Sequence, residues 1–171
     1  KNYVVAATGN LQDEEERIWL DKKIKKPMAC TDCKESKKQK VDETGIVSSK
    51  ETKTIHFKEA NIHDFAWFAD KRFIVYHDSM QLNIGKTVNV YSYHLPKTTD
   101  QNFWTRSTQF IKNTIATRSK WLGEYPYDIA SVVEAEMGFS GGMEYPTITS
   151  ISPVDDEANL EGVIEHEVGH N

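Results

Sequence analysis

The pattern of apolar and polar residues divides the chain near residue 96 into two parts. Before that point, short runs of β-branched and aromatic residues alternate with turn residues, which is typical of strands. We predict strands at about residues 3–7, 16–20, 54–57, 65–68, 73–76 and 87–93. Several short strands separated by turns favour a β-sandwich-like arrangement.

Beyond residue 96 the apolar residues recur with the period of a helix. Their spacing predicts an amphipathic helix over about 101–122. Strands are predicted over 129–133 and 145–151. Acidic residues at 155–157 indicate the start of a last helix, because carboxylates stabilise the positive N-terminal end of a helix.

These elements predict an α+β protein with two parts, residues 1–95 and residues 96–171. The hydrophobic share of 38% is enough for a packed core. With a formal charge of −5 the chain has no general reason to bind nucleic acid. No apolar run approaches the roughly 20 residues needed to cross a bilayer, so we expect no membrane segment.

A Lys-rich stretch at about residues 22–53 contains few large apolar residues. We interpret it as a solvated excursion between strands. It carries Cys30 and Cys33, a spacing compatible with a redox pair, half of a zinc site or no function. A structural zinc site would need a second pair of ligands nearby, and none stands out in the sequence.

The last predicted helix carries His166, Glu167 and His170. Residues four apart project from one face of a helix, so the two imidazoles are close enough to bind one metal ion. Imidazole nitrogen suits zinc, and zinc lowers the pKa of a bound water towards about 7. Glu167 would accept the proton of that water and pass it to the leaving amine. The pattern therefore predicts a catalytic zinc site.

The same helix predicts where these side chains point, at about 100° per residue. His166 and His170 lie on one flank of an apolar stripe, whereas Glu167 points almost into the stripe. The stripe consists of Leu160, Val163, Ile164 and Val168. An unpaired carboxylate facing the core is costly, and a metal ion or a cleft would remove that cost. The alternative is an ordinary surface helix that carries two histidines by chance.

A second candidate feature is the segment formed by Gly141, Gly142, Met143 and Glu144, which ends 22 residues before His166. Glycines let a substrate backbone approach closely, and an edge strand binds an extended peptide by strand addition. Glu144 would then offer a negative charge to a free α-ammonium group, which would make the enzyme an exopeptidase. Alone, the glycine pair is more typical of a turn or bulge between strands, but the histidine helix at this distance favours the substrate-binding interpretation.

Together, the Gly-Gly-Met-Glu-Tyr and His-Glu-Val-Gly-His-Asn segments resemble the aminopeptidase-N-like family of zinc metallopeptidases, within the gluzincins. That family most often has Asn where this chain has Tyr145. The resemblance implies that residues 1–95 are part of an N-terminal β-sandwich domain. It implies that residues 96–171 are the first elements of a thermolysin-like catalytic domain, ending with the zinc helix.

The resemblance also implies a role for each candidate residue. His166 and His170 correspond to zinc ligands and Glu167 to the general base. Glu144 corresponds to the group that binds the free amino group of the substrate, and the glycine pair with Met143 to the segment along the substrate. One zinc ion is the expected cofactor, and a peptide with a free N-terminus is the expected partner.

In that family the third zinc ligand is a glutamate on the next helix, and the catalytic tyrosine lies further on. Both positions would fall after Asn171, so we interpret the chain as a fragment of a zinc-dependent aminopeptidase. Two alternatives stay open. One is a non-catalytic β-rich binding module with a remnant of a peptidase fold. The other is an endopeptidase of another zincin type, which would have no use for Glu144.

We expect the isolated 171-residue chain to bind zinc weakly or not at all and to lack peptidase activity, because catalytic zinc sites use three protein ligands. A calorimetric zinc titration and a peptidase assay with and without a chelator measure both properties. A peptidase rate that the chelator abolishes would contradict this expectation.

Overall fold

The computed structural model describes residues 1–26, 46–83, 85–96 and 102–171. Cys30 and Cys33, with much of the Lys-rich stretch, lie outside the described residues. The strands are β1 Val4–Ala7, β2 Asn10–Leu11, β3 Ile24–Lys25, β4 Phe57–Lys58, β5 Trp67–Asp70, β6 Ile74–Gln81, β7 Thr87–His94, β8 Ile129–Glu134, β9 Gly142–Met143 and β10 Ile148–Ile151. The helices are α1 Glu14–Asp21, a 3₁₀ helix Asn102–Arg106, α2 Ser107–Leu122 and α3 Glu157–Val168.

A mixed six-stranded sheet, in the order β3-β6-β7-β8-β10-β9, organises the molecule. β6 and β7 form an antiparallel hairpin, β8 lies parallel to both β7 and β10, and β9 is antiparallel to β10 at the edge. Two small antiparallel sheets pair β1 with β5 and β2 with β4. The predicted α+β class is confirmed. The six-stranded sheet contains strands from both sides of residue 96, so the predicted division there coincides with no break in this sheet.

Each face of the six-stranded sheet is covered by its own hydrophobic cluster, because successive side chains of a strand point to opposite faces. On one face, α2 and α3 pack against the sheet. That cluster includes Val88, Val90, Val132, Ile151, Phe110, Ile111, Ile115, Leu160, Ile164 and Val168. On the other face, β1 and α1 contribute Val4, Ala6 and Leu20, which pack with Val75, Tyr93, Val133 and Ile148.

One predicted strand is wrong. Residues 16–20 belong to α1, which begins with Glu14, Glu15 and Glu16 in its first turn. Carboxylates at this end favour the helix, and a short apolar run cannot be assigned to strand or helix by its period alone.

Two other predicted strands are shorter than expected. Of residues 54–57, only the last belongs to a strand, β4. The strand predicted over 145–151 begins at Ile148, because Pro146 and Thr147 form a turn before it. The helix predicted over 101–122 is confirmed, with a 3₁₀ turn before α2. Within the described ranges, no helix is long and apolar enough to span a bilayer.

The turn between β1 and β2 depends on Gly9, whose φ is 81°. A Cβ at this position would lie 2.5 Å from the carbonyl oxygen of Lys58. Gly85 has the same φ of 81°, but a Cβ there would meet no atom within 4 Å. The two glycines therefore separate the effect of the backbone angle from the effect of steric contact.

We expect Gly85→Ala to destabilise the protein by about 1–2 kcal/mol, the usual strain of a left-handed residue. Gly9→Ala adds overpacking against a backbone atom, so its loss of unfolding free energy is expected to be larger by at least about 1 kcal/mol. Urea unfolding of the two variants measures the difference. Equal losses would contradict the close approach at Gly9.

Candidate metal centre

Helix α3 is held in one rotation by its cap and its core contacts. The carboxylate of Asp156 accepts a hydrogen bond from the backbone N–H of Asn159 at 2.8 Å, which caps the first turn. Leu160, Ile164 and Val168 are buried between α2 and the sheet. The predicted apolar stripe is therefore present and faces the core.

This rotation brings the two histidines together at the surface. The Nε2 atoms of His166 and His170 are 3.3 Å apart. Their ring centroids are 4.8 Å apart, and the ring planes are nearly perpendicular at 83°. Nitrogen and carboxylate atoms of His166, Glu167 and His170 all lie within 4.8 Å of one another.

The distance between the two imidazole nitrogens matches a shared zinc ion. Nitrogens that each lie about 2.0–2.1 Å from a tetrahedral zinc are about 3.3–3.4 Å from each other. His166 and His170 already have this separation, at 3.3 Å. The side chains therefore fit two ligand positions of one zinc centre.

Glu167 is buried, with 6% of its surface exposed, and the backbone of Gly142 lies directly against it. A Cβ at position 142 would be 2.4 Å from Cγ and 2.7 Å from Oε1 of Glu167. Any side chain at this position would displace the carboxylate. The structure thus joins the two segments that the sequence singled out.

Gly142 belongs to β9, the outer strand of the six-stranded sheet. β10 pairs with one side of β9, with Ile151 opposite Gly142. Among the described residues, no strand pairs with the other side. Met143 and Glu144 are exposed, and Gly141 has a φ of 104° where the chain enters the strand. An extended backbone could add to this free edge, beside Glu167.

A cluster of residues behind His170 was not predicted from the sequence. The guanidinium of Arg118 lies against the last turn of α3, so that a Cβ at Gly169 would be 3.0 Å from its Nε and Nη2 atoms. A cation stabilises the C-terminal end of a helix. Arg118, Glu124, Tyr125 and His170 line a cavity of about 330 Å³.

Tyr125 forms part of the wall of this cavity. Its hydroxyl donates a hydrogen bond to the carbonyl oxygen of Ile129 at 3.1 Å. Burial raises the pKa of the phenol, so it stays a donor. Its position in the same cavity as His170 depends on the packing of α2 beside α3, which no local sequence motif signals.

The sequence matches no protein-family model and no curated protein. Three solved structures resemble the fold: a two-domain M1 zinc metallopeptidase mutant bound to L-arginine, an M1 zinc metallopeptidase mutant from Deinococcus radiodurans, and a two-domain mutant bound to L-tryptophan. Their TM-scores are 0.52, 0.51 and 0.54, each at 12% identity. The chain has the fold of part of an M1 zinc metallopeptidase. The matches cover 96–97% of this chain and 31% of each of those chains.

We expect Gly142→Ala to destabilise the protein by about 1–3 kcal/mol and to displace the Glu167 carboxylate, since the added methyl overlaps it. Gly162→Ala is the matched control, because Gly162 is exposed on α3 with open space around a Cβ. It is expected to stabilise the protein by up to about 1 kcal/mol through helix propensity. Urea unfolding tests both, and a neutral Gly142→Ala would argue against the close contact.

Proposed function

We propose that this chain is part of a zinc-dependent aminopeptidase that releases N-terminal residues from peptides. The observation that carries the proposal is the contact between Gly142 and Glu167. A Cβ added at Gly142 would lie 2.4 Å from Cγ of Glu167. It supports a single cleft shared by the glycine-rich edge strand, the buried carboxylate and the two imidazoles.

In this proposal His166 and His170 hold zinc through their Nε2 atoms, and a third ligand comes from the longer protein. When bound there, zinc would supply a water of lowered pKa and would polarise the carbonyl of the scissile bond. The two rings are nearly perpendicular, and both histidines are exposed. The outer side of the pair is therefore open to solvent. Substrate would reach the centre from that side.

Glu167 is the proposed general base. Its carboxylate lies within 4.8 Å of the imidazole nitrogens, and its Oε1 atom faces the backbone of Gly142. A carboxylate here would accept a proton from the attacking water and donate it to the leaving amine. Burial against β9 holds the side chain in one place, which favours proton transfer to a substrate lying along β9.

Glu144 is the proposed anchor for the substrate amino group. A peptide added to the edge of β9 would form backbone hydrogen bonds there. Because Glu144 follows β9 directly and is exposed, its carboxylate is available to an α-ammonium group. A fixed charge at the end of the cleft would place the first peptide bond at the reactive centre.

Two of the similar structures are in keeping with this proposal. They are M1 zinc metallopeptidase mutants bound to L-arginine and to L-tryptophan. Single amino acids with a free amino group are the products that an aminopeptidase releases.

The test uses the intact protein with an aminoacyl p-nitroanilide and its N-acetylated form. Glu167→Gln is expected to lower kcat by about 10²–10⁴-fold without loss of zinc, because only proton transfer is removed. Glu144→Gln is expected to raise KM by about tenfold or more for the free amine, through loss of a charge-assisted hydrogen bond. Glu161→Gln is the matched control, since Glu161 is exposed on the same helix.

Two results would contradict the proposal. Equal cleavage of free and N-acetylated substrates would indicate an endopeptidase. An intact protein that binds no zinc and cleaves neither substrate would indicate a non-catalytic module.

A further inference from the structure

Thr147 has a backbone conformation that its side chain disfavours. Its φ is 62°, in the left-handed region, which is an outlier for a β-branched residue. Pro146 precedes it, and the N–H of Ile148 donates to the carbonyl oxygen of Tyr145 at 3.1 Å. This is the pattern of a type II turn, whose third position usually holds Gly or Asn. A strained residue of this kind persists only where its surroundings hold it, and such residues cluster at functional sites.

Three hydrogen bonds hold Thr147, each from a different part of the fold. Its Oγ1 accepts from the N–H of Gly9 at 2.8 Å, in the turn between β1 and β2. Its carbonyl oxygen accepts from the N–H of Ser131 at 2.8 Å, in β8. Its own N–H donates to Oδ1 of Asn171 at 2.7 Å. Thr147 itself is only 2% exposed.

The bond to Asn171 links the two segments of the proposed active site. Asn171 follows His170 directly, and its backbone N–H donates to the carbonyl oxygen of Val168 at 3.3 Å, at the end of α3. Thr147 lies three residues after Glu144, and the stiff ring of Pro146 stands between them. The connection from His170 to Glu144 is therefore short and has little conformational freedom.

The Asn171 side chain does not act as an ordinary helix cap. A cap at this end would satisfy carbonyl groups of α3 itself. Instead, the amide oxygen accepts from a residue 24 positions earlier in the chain. The contact therefore fixes α3 relative to the turn at Thr147 and does not complete the helix.

We propose that Asn171 is a positioning residue that sets the spacing between the imidazole pair and Glu144. This inference rests on the proposed aminopeptidase function. With that spacing fixed, a substrate whose ammonium group binds Glu144 has its first peptide bond at the imidazole pair. Without it, the turn that follows Glu144 would relax towards an unstrained conformation, and the positions of Glu144 and the imidazole pair would no longer match.

The test compares inhibitors that differ only in the presence of the anchored group. L-leucine hydroxamate carries an α-amine and a metal-binding group, whereas acetohydroxamate carries only the metal-binding group. In the intact protein, Asn171→Ala is expected to weaken the binding of L-leucine hydroxamate by about tenfold, as for one lost hydrogen bond. The binding of acetohydroxamate is expected to weaken by less than about twofold. Zinc content is expected to stay unchanged.

Two further variants separate positioning from general damage. Asn171→Asp keeps an acceptor oxygen at the same place and is expected to restore most of the preference for the amine. Asn171→Gln moves the acceptor outward and is expected to behave like the alanine variant, which provides a second measurement if Asn171→Ala folds poorly. Asn159→Ala is the control, because Asn159 is at the opposite end of α3.

The outcomes distinguish this inference from the function on which it rests. If the wild-type protein is active and its Asn171 variants lose affinity for both inhibitors equally, or for neither, the positioning role alone is overturned. A wild-type protein without zinc or aminopeptidase activity would overturn the proposed function and this inference with it.

Discussion

The direct contact between the backbone of Gly142 and the buried side chain of Glu167 determines how the rest of the candidate site is arranged. A methyl group at position 142 would overlap the carboxylate, so β9 reaches α3 only because this residue has no side chain. The same contact encloses Glu167 on one side while the imidazoles stand beside it in solvent. One steric condition therefore sets both the burial of the carboxylate and its distance from the edge of the sheet.

Stability and site geometry depend on the same residues. Leu160, Ile164 and Val168 bury one side of α3 in the main core, and that burial fixes the rotation of the helix. Because His166 and His170 lie on the flank of this side, the 3.3 Å separation of their nitrogens follows from core packing and helix geometry. Loss of core volume near the end of α3 would therefore change the separation of the two imidazoles.

The sequence predicted what local periodicity encodes. It located α3, its apolar stripe and the exposed histidine pair, because a helix maps sequence spacing onto faces. It located β7 through its run of β-branched and aromatic residues. It missed α1, where a short apolar run resembles a strand, and it missed the bond between Thr147 and Asn171, which joins distant residues through a backbone angle. The packing of Arg118 against Gly169 likewise arises from tertiary structure, and residue spacing in the sequence does not predict it.

Both outer strands of the six-stranded sheet, β3 and β9, have only two residues. Exposed sheet edges are templates for aggregation, and proteins limit this hazard by keeping edge strands very short. Two residues offer too few backbone groups to recruit a strand from a neighbouring molecule in solution. The two-residue length of β9 therefore limits unwanted self-association through this edge of the sheet.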